Sequence, residues 1–274
     1  MPVIITTDAV RSRWVRAGGV DLHQLDWGGG GRPVLCLHGV TSCSWVWHHV
    51  ARHLTASHRV LAGDLRGHGE SSWAPPDAYG TTAHAADVVA VIDDLVGGPV
   101  DLVGSSWGAL IALAVASERP ELVGRLVLVD IEPSSASGAA DVPRRPRRFS
   151  DVVAAGDWWR STNPHAPSEL VGLLGAVATV QGPGGSRFPR HDPVFFSLWP
   201  FRSEDWWPAL GQVKAPTLVI RAGQSWVRAE ICDEMAAQLA RAERLDLPDA
   251  GHVVPVDAPD ALGAALARYL GGRP

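Results

Sequence analysis

Apolar and polar positions follow two rhythms along this chain. Near the start, SRWVRAG from Ser12 and VDLHQLDW from Val20 alternate with period two and meet at Gly18 and Gly19, which predicts an antiparallel pair of strands. Val34-Leu-Cys-Leu-His38 is apolar almost throughout, as suits an interior parallel strand covered on both faces, and it ends at the turn signal His38-Gly39. Residues 44–54 predict a helix, and Arg59 to Asp64 a strand running into DLRGHGES. From Thr81 to Val96 the spacing changes to three and four, placing Ala85, Val88, Val89, Ile92 and Leu95 on one helical face.

The clearest unit follows. Val100 to Val103 predicts a short strand, Gly104-Ser-Ser-Trp-Gly108 a tight turn, and Ala109 to Glu118 a helix stopped at Arg119-Pro120. Leu126 to Val129 repeats the buried-strand pattern and delivers Asp130 at its end. Strand, helix, strand in this order implies parallel crossovers, with the chemistry at strand ends. From Ile131 to Gly211 the rhythm breaks into proline-rich sequence, with a basic run at Arg144, Arg145, Arg147 and Arg148 and helical pieces around 149–160, 168–180 and 203–210. Thr217 to Ile220 resumes the sheet, followed by a helix over Ala229 to Ala240, a strand over Arg244 to Leu247 and a closing helix over Ala258 to Leu270. The expected organisation is a core over 1–131, an insertion over 132–210 and a second core part over 211–274.

Composition narrows the classes. With 46% hydrophobic and 19% charged residues in 274, the chain can repay the ordering of a core, which excludes a wholly disordered protein. A formal charge of −5 gives no general reason to bind nucleic acid. ALIALAVA at 109–116 falls well short of the ~20 apolar residues that span a bilayer and reads as a buried helix. The opening MPVIITTDAVR lacks a basic end, a long apolar run and a small-residue cleavage site, so a cytoplasmic location is expected, with no membrane partner. Cys36, Cys43 and Cys232 read as isolated thiols, and Lys214, the single lysine, is a poor basis for Schiff-base chemistry. His49 and His53 stand four apart with His48 adjacent to the first, but no convincing third ligand accompanies them, so no metal is expected.

Gly104-Ser105-Ser106-Trp107-Gly108 matches the Gly-x-Ser-x-Gly nucleophile elbow, and it stands between a predicted strand and helix. Ser106 is therefore the candidate nucleophile. Its base is His252 in Asp249-Ala-Gly-His252, on a loop between the last strand and the closing helix. His38 and His68 belong to glycine turns and read as backbone organisers.

Through His38-Gly39, Asp64-Leu-Arg-Gly-His-Gly69, the Ser106 elbow and Gly251-His252, in that order, the chain resembles an α/β-hydrolase over essentially its full length. The resemblance implies an α/β-hydrolase fold, a mostly parallel central sheet flanked by helices with a helical cap inserted at 132–210. It also implies an oxyanion hole made by the backbone N–H groups of Val40 and Trp107, and no cofactor. The usual acid position follows the strand at Thr217 to Arg221, but Ala222-Gly-Gln-Ser-Trp226 holds no carboxylate and places Ser225 near that slot. Some members carry the acid after the preceding strand, where Asp130 stands here. Asp130 is the leading acid, with Glu132, Glu230 and Asp233 as lesser candidates; Asp249 reads as a loop holder and Asp64 as a binder of the Arg66-Gly67 turn.

The expected function is cofactor-free serine hydrolysis of a carboxylic ester or lactone. The alternatives are C–C bond hydrolysis, cofactor-independent dioxygenation of an aromatic ketone or heterocycle, and a noncatalytic binding protein of the same fold. Twelve tryptophans point to a bulky, partly apolar or aromatic small-molecule substrate. Trp45, Trp47 and Trp107 adjoin the expected oxyanion turns and are the first candidates to line the pocket, ahead of Trp158, Trp159, Trp199, Trp206 and Trp207. The arginine run reads as a solvated segment rather than an anion clamp, and a homodimer is left open.

Overall fold

The computed structural model describes residues 10–134 and 145–272. The opening segment MPVIITTDA, Pro143 and Arg144 lie outside the described residues.

Eight strands form one sheet in the order β1-β2-β4-β3-β5-β6-β9-β10. β1 (Arg11–Ala17) and β2 (Val20–Gly28) pair antiparallel, and β2 runs antiparallel to β4 (Arg59–Gly63). The remaining strands, β3 (Pro33–Leu37), β5 (Val100–Ser105), β6 (Val123–Val129), β9 (Thr217–Ala222) and β10 (Ala242–Leu247), join β4 in parallel register. Successive side chains point to opposite faces, and in β3, β4, β5, β6 and β9 both faces are buried. Leu35, Leu37, Leu102, Leu126, Leu128 and Val219 pack beneath α2 (Thr81–Leu95), α3 (Trp107–Glu118) and α7 (Ala229–Gln238). Val34, Cys36, Val103, Val127, Val129 and Ile220 face α1 (His48–Leu54) and α9 (Pro259–Gly271). Burial on both sides explains why these strands read as continuous apolar runs.

The chain leaves β3 toward β4 on one side, while β5 lies on the other. Such a switch in strand order opens a crevice at the carboxyl ends of the two strands. The loops after β3 and β5 are those carrying Val40 and Ser106.

Between β6 and β9 the described chain forms α4 (Val152–Thr162), α5 (Ser168–Val177), a hairpin of β7 (Thr179–Gln181) with β8 (Arg187–Pro189), and α6 (Trp207–Leu210). The helix expected to reach residue 180 stops earlier, because β-branched Thr179 and Val180 enter the hairpin and the chain turns at Gly182-Pro183. Asp151 caps α4 by accepting from the Ala154 N–H at 2.8 Å, which moves its start three residues past the expected 149. The expected helix over 203–210 is reduced to α6, since a separate turn occupies Pro200–Ser203. A one-turn helix, α8 (Val254–Asp257), precedes α9 and was not legible in the periodicity. Among the described residues no helix is long and apolar enough to cross a membrane.

Candidate active site

Ser106 sits between β5 and α3 with φ 54° and ψ −127°, a region that L-residues rarely occupy. Its N–H donates to the Val129 carbonyl at 2.9 Å, which pins the turn to β6. The flanking glycines are steric requirements. A Cβ at Gly104 would fall 2.2 Å from the Gly108 carbonyl oxygen, and one at Gly108 would fall 2.4 Å from that of Leu37. Only bare backbone lets helix and strands approach this closely.

The loop after β10 brings His252 to the serine. His252 Nε2 lies 2.9 Å from Ser106 Oγ, and His252 Nδ1 lies 2.7 Å from Asp130 Oδ2. Asp130 is fully buried at the end of β6, also with positive φ, and its second oxygen accepts the Ala222 N–H of β9 at 2.8 Å. Both carboxylate oxygens are thereby committed, one to orienting the imidazole and one to the neighbouring strand. Neither Glu132, Glu230, Asp233 nor Asp249 takes that place. Near the usual acid slot, Ser225 Oγ accepts the Val227 N–H at 3.3 Å and so shapes a turn. The same segment places the Trp226 ring 3.9 Å from that of His252, at 36°. No pattern in the sequence singled out Trp226.

A second unanticipated residue is Asp257. Its Oδ2 accepts the Gly251 N–H at 2.7 Å and its Oδ1 accepts the His165 N–H at 3.0 Å, so it fixes the residue before His252 and ties that loop to the connection between α4 and α5. Its spacing from His252 carried no signal, because the partners come from a remote segment.

Opposite the elbow, a Cβ on Gly39 would lie 2.9 Å from Ser106 Cβ, so the loop bearing Val40 runs directly against Ser106. The N–H of Trp107, the first residue of α3, belongs to the group of helix-start amides without an intrahelical acceptor. Val40 and Ser106 line the same cavity. Two buried histidines hold this loop. His38 accepts the Leu65 N–H at Nε2 and directs Nδ1 to the Gly39 carbonyl at 2.7 Å, while His68 accepts the Thr41 N–H at Nε2 and directs Nδ1 to the Arg66 carbonyl. Each bond pattern requires a neutral ring protonated at Nδ1. Burial drives both below the ordinary histidine value, His68 strongly. Asp64 holds the far end of the loop, accepting from Ser44 N–H at 2.7 Å, Glu70 N–H at 3.0 Å and His23 at 2.8 Å, rather than binding the Arg66-Gly67 turn.

These neutral histidines set an acid limit. Burial also lowers His84 to about 3 and His191 to about 4, whereas an unfolded histidine titrates near 6.5. Below 6.5 the unfolded chain therefore binds more protons than the native one, and stability falls as pH falls, by up to about 1.4 kcal/mol per pH unit for each such group. Urea unfolding should show a lower midpoint at about pH 5 than at about pH 7.5. An unchanged midpoint would show that these rings are not held neutral.

The cavity above the triad measures about 710 Å³. Trp158, Trp159, Trp199 and Trp226 line it, whereas the tryptophans beside the oxyanion turns do not. Trp107 is fully buried, donates from Nε1 to Thr81 Oγ1 at 2.9 Å and packs on His84 and Phe201, because its side chain leaves α3 toward α2. Trp47 is equally buried in the core, and Trp45 packs edge-on to Trp27. Trp206 and Trp207 instead make internal bonds to Glu204 and Ser134. Arg147 and Arg148 are exposed as expected, but Arg145 is buried and lines the cavity, contrary to the reading of a solvated run. The three cysteines are free and buried, and desolvation pushes the Cys43 thiol up to about 12, which leaves it inert.

A family model described as the alpha/beta hydrolase fold matches residues 32–153. The lipase LipV of Mycobacterium tuberculosis is 31% identical over 267 residues, spanning 93% of this chain and 99% of that protein. The 2-(acetamidomethylene)succinate hydrolase of Mesorhizobium japonicum is 28% identical, spanning 98% of this chain and 99% of its own. Among solved structures, the thioesterase domain from the curacin biosynthetic pathway superposes with a TM-score of 0.81 at 28% identity, covering 96% of this chain and 100% of that domain.

Proposed function

The chain belongs to the α/β-hydrolase family and is a hydrolase, and from that premise we propose that it cleaves a carboxylic ester or lactone through an acyl-enzyme on Ser106. The observation that carries this reading is the unbroken hydrogen-bonded line from Ser106 Oγ through His252 to Asp130, at 2.9 and 2.7 Å. His252 Nε2 takes the hydroxyl proton as Oγ attacks the carbonyl carbon. Asp130 holds Nδ1–H and stabilises the imidazolium, and the amides of Val40 and Trp107 receive the oxyanion. The C–O bond breaks as Nε2–H protonates the leaving oxygen. Water, deprotonated by His252, then attacks the acyl carbon, and the proton returns to Ser106 Oγ as the acid departs.

The similarity to a lipase supports ester chemistry, and the indole-lined cavity supports a bulky, partly apolar or aromatic substrate. The described residues 145–210 serve as a cap in this reading, which Trp158, Trp159 and Trp199 support by forming part of the cavity wall. No residue needs to hold a cofactor for these steps, and the partner is a small molecule.

Screening esters, lactones and aromatic diketones with product analysis, with and without oxygen, tests the assignment. Acid plus alcohol, or a ring-opened hydroxy acid, is the expected outcome. Carbon–carbon cleavage products from a diketone, or oxygen uptake, would replace it with another reaction. Failure of an organophosphonate to label Ser106 would point to a binding protein.

A further inference from the structure

Arg145 is the one arginine or lysine of the described residues that lines the cavity, and it is more than nine-tenths buried. Its guanidinium carbon lies 4.5 Å from the ring centroids of both Trp158 and Trp159. These two indoles are themselves packed edge to face, 5.3 Å apart at 74°, and together they hold the planar cation in place. Its Nε is sealed from solvent without an acceptor, and no carboxylate among the described residues pairs with it. Of the acidic residues of the cavity wall, Asp130 is bonded to His252 and Ala222 and Asp257 to Gly251 and His165; Glu132 and Asp249 complete that wall. His38, Cys43 and His191 feel its charge and are themselves neutral, so among the described residues no ion pair balances the guanidinium.

A buried cation without a counter-ion is expensive, and indole faces replace only part of its lost hydration. The cost is offset when a ligand brings an anion whose two oxygens match the guanidinium fork. We propose that Arg145 is a specificity-determining residue that binds a carboxylate carried by the substrate, so that the preferred substrate is an ester or lactone bearing a free carboxylate beside an apolar body. The inference rests on the serine-hydrolase reading for its turnover consequences, while carboxylate binding stands apart from it. The same placement explains the tryptophan pair, which excludes water from the ion pair and covers the flanking apolar part of the substrate.

Two isosteric pairs of probes test it, one with the charge on the acyl side and one with it on the alcohol side: monomethyl glutarate against methyl 4-carbamoylbutanoate, and 4-acetoxybutanoate against 4-acetoxybutanamide. In at least one pair the parent enzyme should favour the carboxylate over its neutral amide by about tenfold or more in kcat/KM. Arg145→Met should bring that ratio close to unity through a loss on the charged member equal to the parent's preference, about tenfold or more, and Arg145→Lys should fall between. Thermal unfolding confirms that the variants are folded, and the preference of the parent needs no variant at all. A parent without preference in either pair, or an Arg145→Met variant that slows both members alike, would overturn the proposal. Calorimetric titration with monomethyl glutarate separates the two readings. If Ser106 takes no phosphonate label and no ester turns over, the hydrolase mechanism has failed; Arg145-dependent binding would then still support the anion site, and its absence would refute it.

Discussion

Ser106→Ala is expected to fold normally, take no label from an organophosphonate, and lose ester turnover by about 10⁶-fold. The size of the loss follows from the geometry. Alanine removes the only group of the elbow within 2.9 Å of His252 Nε2, while the amide bond to Val129 that pins the turn is retained. Residual rate acceleration would come from the oxyanion amides and substrate binding alone. The strained φ of 54° at this position remains with alanine, so stability should change little, and thermal unfolding checks that. Intact mass and peptide mapping then locate any adduct. A label on Ser105, which ends β5 in the adjacent position, with undiminished turnover by the alanine variant, would remove Ser106 from the mechanism.

Asp130→Asn is expected to cost about 10³ to 10⁴ in the acylation rate with the fold intact. One oxygen of Asp130 accepts the Ala222 N–H and the other accepts from His252 Nδ1. Asparagine can keep only one acceptor. If its oxygen stays on Ala222, the NH₂ faces Nδ1, which must then become the acceptor, moving the ring proton to Nε2. That tautomer cannot take the Ser106 proton. If the amide turns over, two donors meet at Ala222 in a fully buried site, which costs stability instead. Single-turnover acylation should be compared across Asp130→Asn, Glu132→Gln and Asp249→Asn, with folding followed by circular dichroism. Near-parental acylation in the first, beside a strong chemical defect in either of the others, would transfer the acid role.

Much of this site was legible because its signals are local. The nucleophile elbow demands glycine at two fixed positions, and those glycines show in the sequence as directly as they act in the backbone, where any Cβ would strike the helix or β3. Strand ends were equally legible, since buried parallel strands are apolar runs that stop at the first polar residue, as at Asp130. His38 and His68 read correctly as organisers because they sit in glycine turns, although their targets across the loop could not be named. Asp64 was assigned to the nearest turn and instead reaches Ser44 and Glu70, since sequence proximity says nothing of which backbone donors a fold leaves open.

The alternation of apolar and polar residues, the punctuation by glycine and the order of motifs pointed by themselves to the parallel sheet and to Ser106 and His252 as candidates, while Asp130 was placed at a strand end by the same pattern and read as the acid through the family resemblance. Each of these positions is specified by short-range rules of backbone geometry. Only the tertiary structure decided which side chains face the cavity. Trp107 has the best sequence position beside the serine and points into the core, whereas Trp226 and Arg145 lie in segments without periodicity and point at the site. The reason is physical: the direction of a side chain from a loop, or from the first turn of a helix, is set by the elements packed against it, and those contacts join residues far apart in the chain. Asp257, which links Gly251 to His165, is determined in the same way, by a bond that exists only once the segment between β6 and β9 has folded back over the sheet.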